Sequence, residues 1–315
     1  MMELGLPGRL LCVAQQAYQI NASGFVPPSP PSPTPLPSSL VGYLAVPACQ
    51  VAGDNNSAID AAMVAETQTE VILAFRGTEP LGGLSLRTLL DWLNDVNAPL
   101  VTAPGQTGAV HSGFVHALDM LWSWIEAQLA ALDPEKPLYV TGHSKGGAMA
   151  NLAAARLAAA GRKTSVYTFE AARCGGQTFA DSFARLVPNA FRYEFQDDLV
   201  PHLPPDALVA SMLGNVPLLG PFVGNISLGY VPVGELRFIN WTGQVVPDST
   251  ALQTERAHRL AARLSSFGIG DVIADHSIAP RSGVADAVCP SIWNAAPAPP
   301  LTVAAQPPPA GIRFG

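Results

Sequence analysis

The chain has 315 residues, 48% of them hydrophobic and 13% charged, with a formal net charge of −7. Such a length and apolar content suffice for one large α/β domain, or two small ones, with a substantial core. The acidic balance, with no Lys/Arg cluster along the chain, argues against a general affinity for nucleic acid.

The first residues, "MMELGLPGRLLCVAQQAYQI", lack the basic start, continuous apolar run and small-residue cleavage site of a secretory signal. They read as a short first helix, and the expectation leans to a cytoplasmic rather than a secreted protein. "PPSPPSPTPLP" (27–37) predicts an extended surface loop, because proline fixes φ and removes the backbone donor. The Pro/Ala-rich stretch 295–315 reads as a tail, which leaves 1–294 as one domain. Cys12, Cys49, Cys174 and Cys289 are too scattered for a metal-type spacing. Buried, reduced thiols are expected, with one long-range disulfide as the alternative.

Between the proline-rich segments the pattern alternates. "EVILAF" (70–75) reads as a buried strand, followed by apolar residues at helical spacing over 115–132. "PLYVTG" (137–142) predicts a strand and the alanine-rich 146–161 a helix closed by Gly161. "SVYTFEA" (165–171) and "AFRYEFQD" (190–197) predict two more strands. Strand, helix, strand in series implies a mostly parallel central sheet flanked by helices. The stretch 207–234 carries no charged residue. Its glycines and prolines argue against a membrane span and for an apolar flap beside a site, or an ordinary buried loop with an edge strand.

"TGHSKGGA" (141–148) lies where a predicted strand meets a predicted helix, and Gly142-His143-Ser144-Lys145-Gly146 fits G-x-S-x-G. The chemistry explains the pattern: a strained turn lifts the serine hydroxyl above the sheet, and side chains two residues either side would clash. The helix start adds N–H groups and a positive dipole end near the reacting oxygen. In this kind of hydrolase the acid and then the histidine follow the serine, which removes His111, His116 and His143. Of the remaining three, His202 sits in a proline-rich loop close to the candidate acids. His258 reads as a surface helix residue between Arg256 and Arg259, cations that disfavour an imidazolium. His276 ends an apolar run before a proline and is the preferred base. Asp197 and Asp198 both follow a predicted strand, with Asp275 a weaker rival because it adjoins His276. One oxyanion donor is the backbone N–H of Lys145, and Thr78, after the strand ending "AFRGT", is a candidate for the second.

"FRGT" (75–78), "DWLNDV" (91–96), "VHSGF" (110–114), "TGHSKGG" (141–147), "YTFEAARCGGQTFA" (167–180) and "DDLVPHLPP" (197–205) occur in one order. Together they resemble the class 3 lipases, the fungal-lipase-like α/β hydrolases, over roughly 70–280. The resemblance implies an α/β-hydrolase fold with Ser144 as nucleophile, Asp198 as acid, His276 as base and Thr78 with Lys145 in the oxyanion hole. On it, Asp197 is a solvated or capping residue, and His111 and Asp91 are structural. Three departures stand out: Lys145 where leucine is commoner, "FEAARCG" for the usual "FGAPRVG", and no tyrosine shortly after His276. The leucine-rich 81–93 falls where the family often places a lid.

These readings imply an ester hydrolase working through an acyl-enzyme, with no metal or organic cofactor. The expected partner is a lipid-like ester such as an acylglycerol, or a small-molecule ester, with transient contact at a lipid interface. Rivals are a phospholipase A1, a short-chain or aromatic esterase, an acyltransferase and a catalytically silent binding protein. A lysine opening a helix is disfavoured by about 0.3–1 kcal/mol, so Lys145 is expected to turn to a carboxylate or solvent, with Asp91 and Asp95 as candidate partners.

Overall fold

A computed structural model describes residues 5–21, 24–25, 41–53, 60–78, 98–214, 229–266, 268–279 and 282–289. The proline-rich 27–37, the tail 295–315, the leucine-rich 81–93, Asp91 and Asp95 lie outside these residues.

Eight strands form one sheet: β1 (Ala48–Ala52), β2 (Asp60–Glu66), β3 (Val71–Phe75), β4 (Leu138–His143), β5 (Thr164–Phe169), β6 (Ala190–Phe195), β7 (Glu235–Ile239) and β8 (Val245–Pro247). Their spatial order is β8-β7-β6-β5-β4-β3-β2-β1, the order of the sequence. Strands β3 to β7 are mutually parallel, while β1, β2 and β8 are antiparallel to their neighbours. The expected mostly parallel sheet is therefore present, with antiparallel margins.

The described helices are α1 (Leu6–Gln16), α2 (Ser112–Ala130), α3 (Lys145–Ala159), α4 (Gln177–Leu186), α5 (Ala207–Gly214), α6 (Thr250–Ser265), α7 (Ile269–Ala274) and α8 (Gly283–Val288). A strand shows alternate side chains to opposite faces, and the cores follow that period. Val71, Leu73 and Phe75 pack with Phe114, Leu118, Leu152 and Phe183 of α2, α3 and α4. Ile72 and Ala74 pack on the other face with Leu10 and Leu11 of α1 and Val284 of α8. Right-handed crossovers between neighbouring parallel strands put successive helices on one face. The opposite face is left to the N-terminal and last described helices. Each Val, Leu, Ile or Phe so buried contributes about 1.5–3 kcal/mol.

The element ends differ from the sequence expectation for local reasons. Strand β5 stops at Phe169 and β6 at Phe195, because Glu170 (φ 50°) and Gln196 (φ 43°) turn into left-handed backbone. Helix α2 starts at Ser112, since the His111 side chain accepts a hydrogen bond from the Phe114 N–H at 3.2 Å and caps it. Helix α3 ends at Ala159, with Gly161 at φ 86° reversing the chain. The stretch 207–234 opens as α5 and closes in a short strand at Tyr230–Val231, with 215–228 outside the described residues. Among the described residues no helix is long and apolar enough to cross a membrane. None of the four cysteines is in a disulfide.

Candidate active site

The C-terminal ends of four adjacent strands bring the chemistry together. Thr78 follows β3, Ser144 follows β4, Glu170 follows β5, and Asp197 and Asp198 follow β6. Because β6, β5, β4 and β3 are consecutive neighbours, these residues form a row along one edge of the sheet.

Ser144 has φ 58° and ψ −128°, a conformation that costs about 1–3 kcal/mol for a residue with a Cβ. Its N–H donates to the Phe169 carbonyl at 3.1 Å, and its own carbonyl accepts from the Gly147 and Ala172 N–H groups. The flanking glycines have a steric reason. A Cβ on Gly142 would lie 2.4 Å from the Gly146 main chain, and one on Gly146 would lie 2.3 Å from the Phe75 oxygen. The same closeness ties the elbow to the segment that holds Thr78. Lys145 is the first residue of α3, so its N–H has no partner in the helical ladder and faces outward from the helix start.

The Lys145 side chain meets Asp60, Nζ to Oδ1 at 2.7 Å. A carboxylate or solvent is the expectation from sequence; Asp91 and Asp95 are outside the described residues, and the observed partner is Asp60. The register explains it: β2 runs antiparallel to β3 with Ala62 beside Phe75, so Asp60 projects past the strand end next to the elbow.

Asp198 and His276 are brought together: the His276 Nδ1–H donates to Asp198 Oδ2 at 2.7 Å, while Asp198 Oδ1 accepts from the Val200 N–H at 2.9 Å. Asp198 is buried and His276 half-buried. A second contact locates the histidine. The His143 Nε2–H donates to the main-chain oxygen of His276 at 2.9 Å. A carbonyl can only accept, so His143 Nδ1 is the acceptor for the Tyr18 hydroxyl at 2.6 Å. Burial and the neighbouring His276 hold the His143 imidazole well below its ordinary value, in keeping with that neutral tautomer. Tyr18 also fills the space beside Gly77, where a Cβ would fall 2.1 Å from its hydroxyl oxygen. Gln15 donates to the Ile278 carbonyl, so α1 and the turn after it hold the histidine segment at two points.

Tyr18 and Gln15 had no signal in the sequence, since their partners lie more than a hundred residues away. His143 was excluded as a base by chain order, and it occupies a supporting place. His258 is exposed on α6. His202 lies in a short 3-10 turn, where burial, then Arg256 and Arg173, depress its imidazole to about 3. His111 caps α2 and stacks on Phe114.

Asp197 corrects the expectation of a solvated or capping residue. It is 2% exposed, with its carboxylate between Arg259 (3.4 Å) and Arg263 (3.2 Å) of α6. The positive φ of Gln196 turns the chain so that consecutive aspartates face different partners. Asp275 does not reach the imidazole; its Oδ2 accepts from the Asp197 N–H at 3.3 Å. Burial raises its carboxyl to about 7, the Asp197 N–H opposing and the charges of Asp198 and Asp197 adding to the rise. Glu194, inward on β6, is held by Arg192 and Arg256; burial alone would raise its carboxyl, but the two cations bring it down to about 2. Among the described residues no group of three His, Cys, Asp or Glu could hold a metal ion.

Residues 72–208, which contain the elbow, Thr78 and Asp198, match the family model described as lipase (class 3). Over these residues the chain is similar to the class 3 lipases. A secreted mono- and diacylglycerol lipase of Fusarium solani is 32% identical over 140 residues, 43% of this chain and 40% of that protein. A chloroplastic phospholipase A(1) of Arabidopsis thaliana is 31% identical over 192 residues, 53% of this chain and 38% of that protein. The chain thus spans about two fifths of the length of the curated relatives it matches. The native propeptide complex of Rhizomucor miehei lipase superposes with a TM-score of 0.54 at 22% identity, over 74% of this chain and 67% of that one. That likeness bears on the fold: the matched region is an α/β-hydrolase sheet with the turn at Ser144 after β4. Relatives named as secreted and as chloroplastic lend no support to the cytoplasmic expectation.

Proposed function

We propose that the chain is a serine carboxylic-ester hydrolase acting on lipid-like esters such as acylglycerols. The observation that carries this reading is the 2.7 Å hydrogen bond between Asp198 and His276, on a histidine whose own carbonyl is tied to the residue preceding Ser144.

Ser144 Oγ attacks the ester carbonyl carbon while His276 takes the hydroxyl proton through Nε2. Asp198 holds the other ring nitrogen, fixing the tautomer and stabilising the imidazolium. The tetrahedral oxygen is stabilised by the amide N–H groups of Lys145 and Thr78, each worth about 2.7–4 kcal/mol of barrier. Collapse expels the alcohol with the proton from His276, leaving an acyl-enzyme. Water, deprotonated by His276, then releases the acid and restores Ser144. The acylglycerol class is supported by the relative named for mono- and diacylglycerols. Phospholipase A1 activity is the second reading, supported by the relative of that name with the longest of the alignments above.

The test is hydrolysis of p-nitrophenyl esters of graded chain length, of monoacylglycerol and diacylglycerol, and of phosphatidylcholine, with wild type and Ser144→Ala. Loss of about 10⁴-fold or more in kcat is expected on removing the nucleophile. Undiminished turnover by Ser144→Ala would refute the mechanism, and preferential release of the sn-1 fatty acid from phosphatidylcholine would favour the second reading.

A further inference from the structure

Between the nucleophile strand and the acid strand lies β5, and the residue after it, Glu170, has no part in the reaction as written above. Its backbone N–H donates to the Tyr193 carbonyl of β6 at 2.9 Å, so it is stitched to the strand that carries Asp198. Its side chain is fully buried, and among the described residues neither carboxyl oxygen has a well-aligned donor. Within hydrogen-bonding reach are the Asp198 carboxyl group and the Phe195 N–H. It adopts φ 50°, a conformation glycine takes freely, at the position where the related pattern "FGAPRVG" has its glycine.

Carboxylates only accept hydrogen bonds, so two carboxyl groups in contact need a proton between them. Asp198 already receives two donors, from Val200 and His276. Glu170 has at most the Phe195 amide, so the proton belongs on Glu170. The charged groups that face it, Asp198 from the loop after β6 and Glu194 from β6 itself, are both acidic. Glu194 is neutralised by Arg192 and Arg256. Burial first, then these two carboxylates, raise Glu170 well above the usual carboxylate range.

We propose that Glu170 is a positioning residue of the site, its neutral carboxyl group donating a hydrogen bond to Asp198 while Asp198 holds His276. A third donor fixes the rotamer of Asp198 and spreads its charge without adding another. The proposal rests on the hydrolase reading of Ser144 for its kinetic consequence, but not for its spectroscopic one.

The experiment compares wild type with Glu170→Gln and Glu170→Leu, following kcat, KM and the acid limb of kcat/KM on a p-nitrophenyl ester. Infrared difference spectra on deuteration are recorded in parallel. Glu170→Gln keeps a neutral donor, so a two- to fivefold loss in kcat and an acid limb within about 0.3 pH unit of wild type are expected. Glu170→Leu removes the donor, so kcat should fall about tenfold at unchanged KM, and the limb should move to higher pH as charge concentrates on Asp198. At neutral pH wild type should show protonated-carboxyl carbonyl stretches from Glu170 and, in part, from Asp275, and Glu170→Gln should lose the Glu170 component. A limb displaced downward by a unit or more in Glu170→Gln would mean that Glu170 is ionised and would overturn the proposal. So would wild-type kinetics in Glu170→Leu, or an infrared band unchanged by Glu170→Gln. If Glu170→Leu does not fold, the Gln variant and its band still decide. The band needs no turnover, so failure of the hydrolase reading, seen in Ser144→Ala, is distinguishable from failure of this one.

Discussion

On the nucleophile side, Ser144 is held by main chain packed against main chain: Gly142, Gly146 and Gly147 leave no room for a Cβ, and the helix begins one residue later. On the acid side, Asp198 and His276 sit among buried charges, with Asp197 between two arginines, Glu194 between two more, and Asp275 and Glu170 close by. The first arrangement is steric. The second is electrostatic, and its partners come from β6 itself, the turn after β5, α6 and the segment after α7. A steric error should therefore damage catalysis by displacing one atom, whereas a charge error should damage folding by leaving a buried ion uncompensated.

The largest effects test that contrast directly. Arg256→Met removes a cation that is 4% exposed and leaves Glu194 short of a partner. We expect a loss of about 3–5 kcal/mol in urea unfolding, with kcat of the folded fraction nearly unchanged. Gly146→Ala should do the reverse, lowering kcat at least about 100-fold, since a displacement near 1 Å at a reacting atom has that effect. Equal losses of stability and turnover in both variants would remove the distinction.

A smaller effect is expected where the two regimes meet. Asp60 is buried and Lys145 keeps 18% side-chain exposure, so Asp60→Asn should cost about 2 kcal/mol, less than a fully buried pair. In a Lys145→Leu background the same change should cost less than half as much. A cycle with no coupling would mean that the contact contributes nothing to holding the elbow.

A further effect is a pH slope. Asp275 rises from 3.8 to about 7 on folding, so the folded chain binds a proton that the unfolded chain releases. Its contribution to stability is full below pH 3.8 and is lost as the pH rises through 7. Asp275→Asn keeps the acceptor for the Asp197 N–H and removes the titration. Its melting temperature relative to wild type should climb between about pH 4 and 7 and level off above. A parallel pair of curves would place the carboxyl in ordinary solvent.

How far the fold could be read from sequence depended on where each element finds its reasons. β3, β4, β5 and β6 were legible because each is an apolar or alternating run ending in a turn. β2 was not: "DAAMVAE" is built from residues that favour helices, and it is a strand because β1 and β3 pair with it on both sides. The aspartate pair shows the same limit at the site. Spacing left Asp197 and Asp198 equivalent, and the turn at Gln196 sends one to arginines and the other to His276.

By itself the sequence determined the elbow, since G-x-S-x-G between a strand and a helix is a local steric device that a few adjacent residues specify. It also determined the alternation that makes a parallel sheet, because hydrophobic period and turn chemistry act over short range. Only the tertiary structure decided the Asp60 partner of Lys145, the Tyr18–His143–His276 chain and the burial of Glu170 against Asp198. Each is a polar contact between segments far apart in the chain, and such contacts acquire their strength only where packing has excluded water.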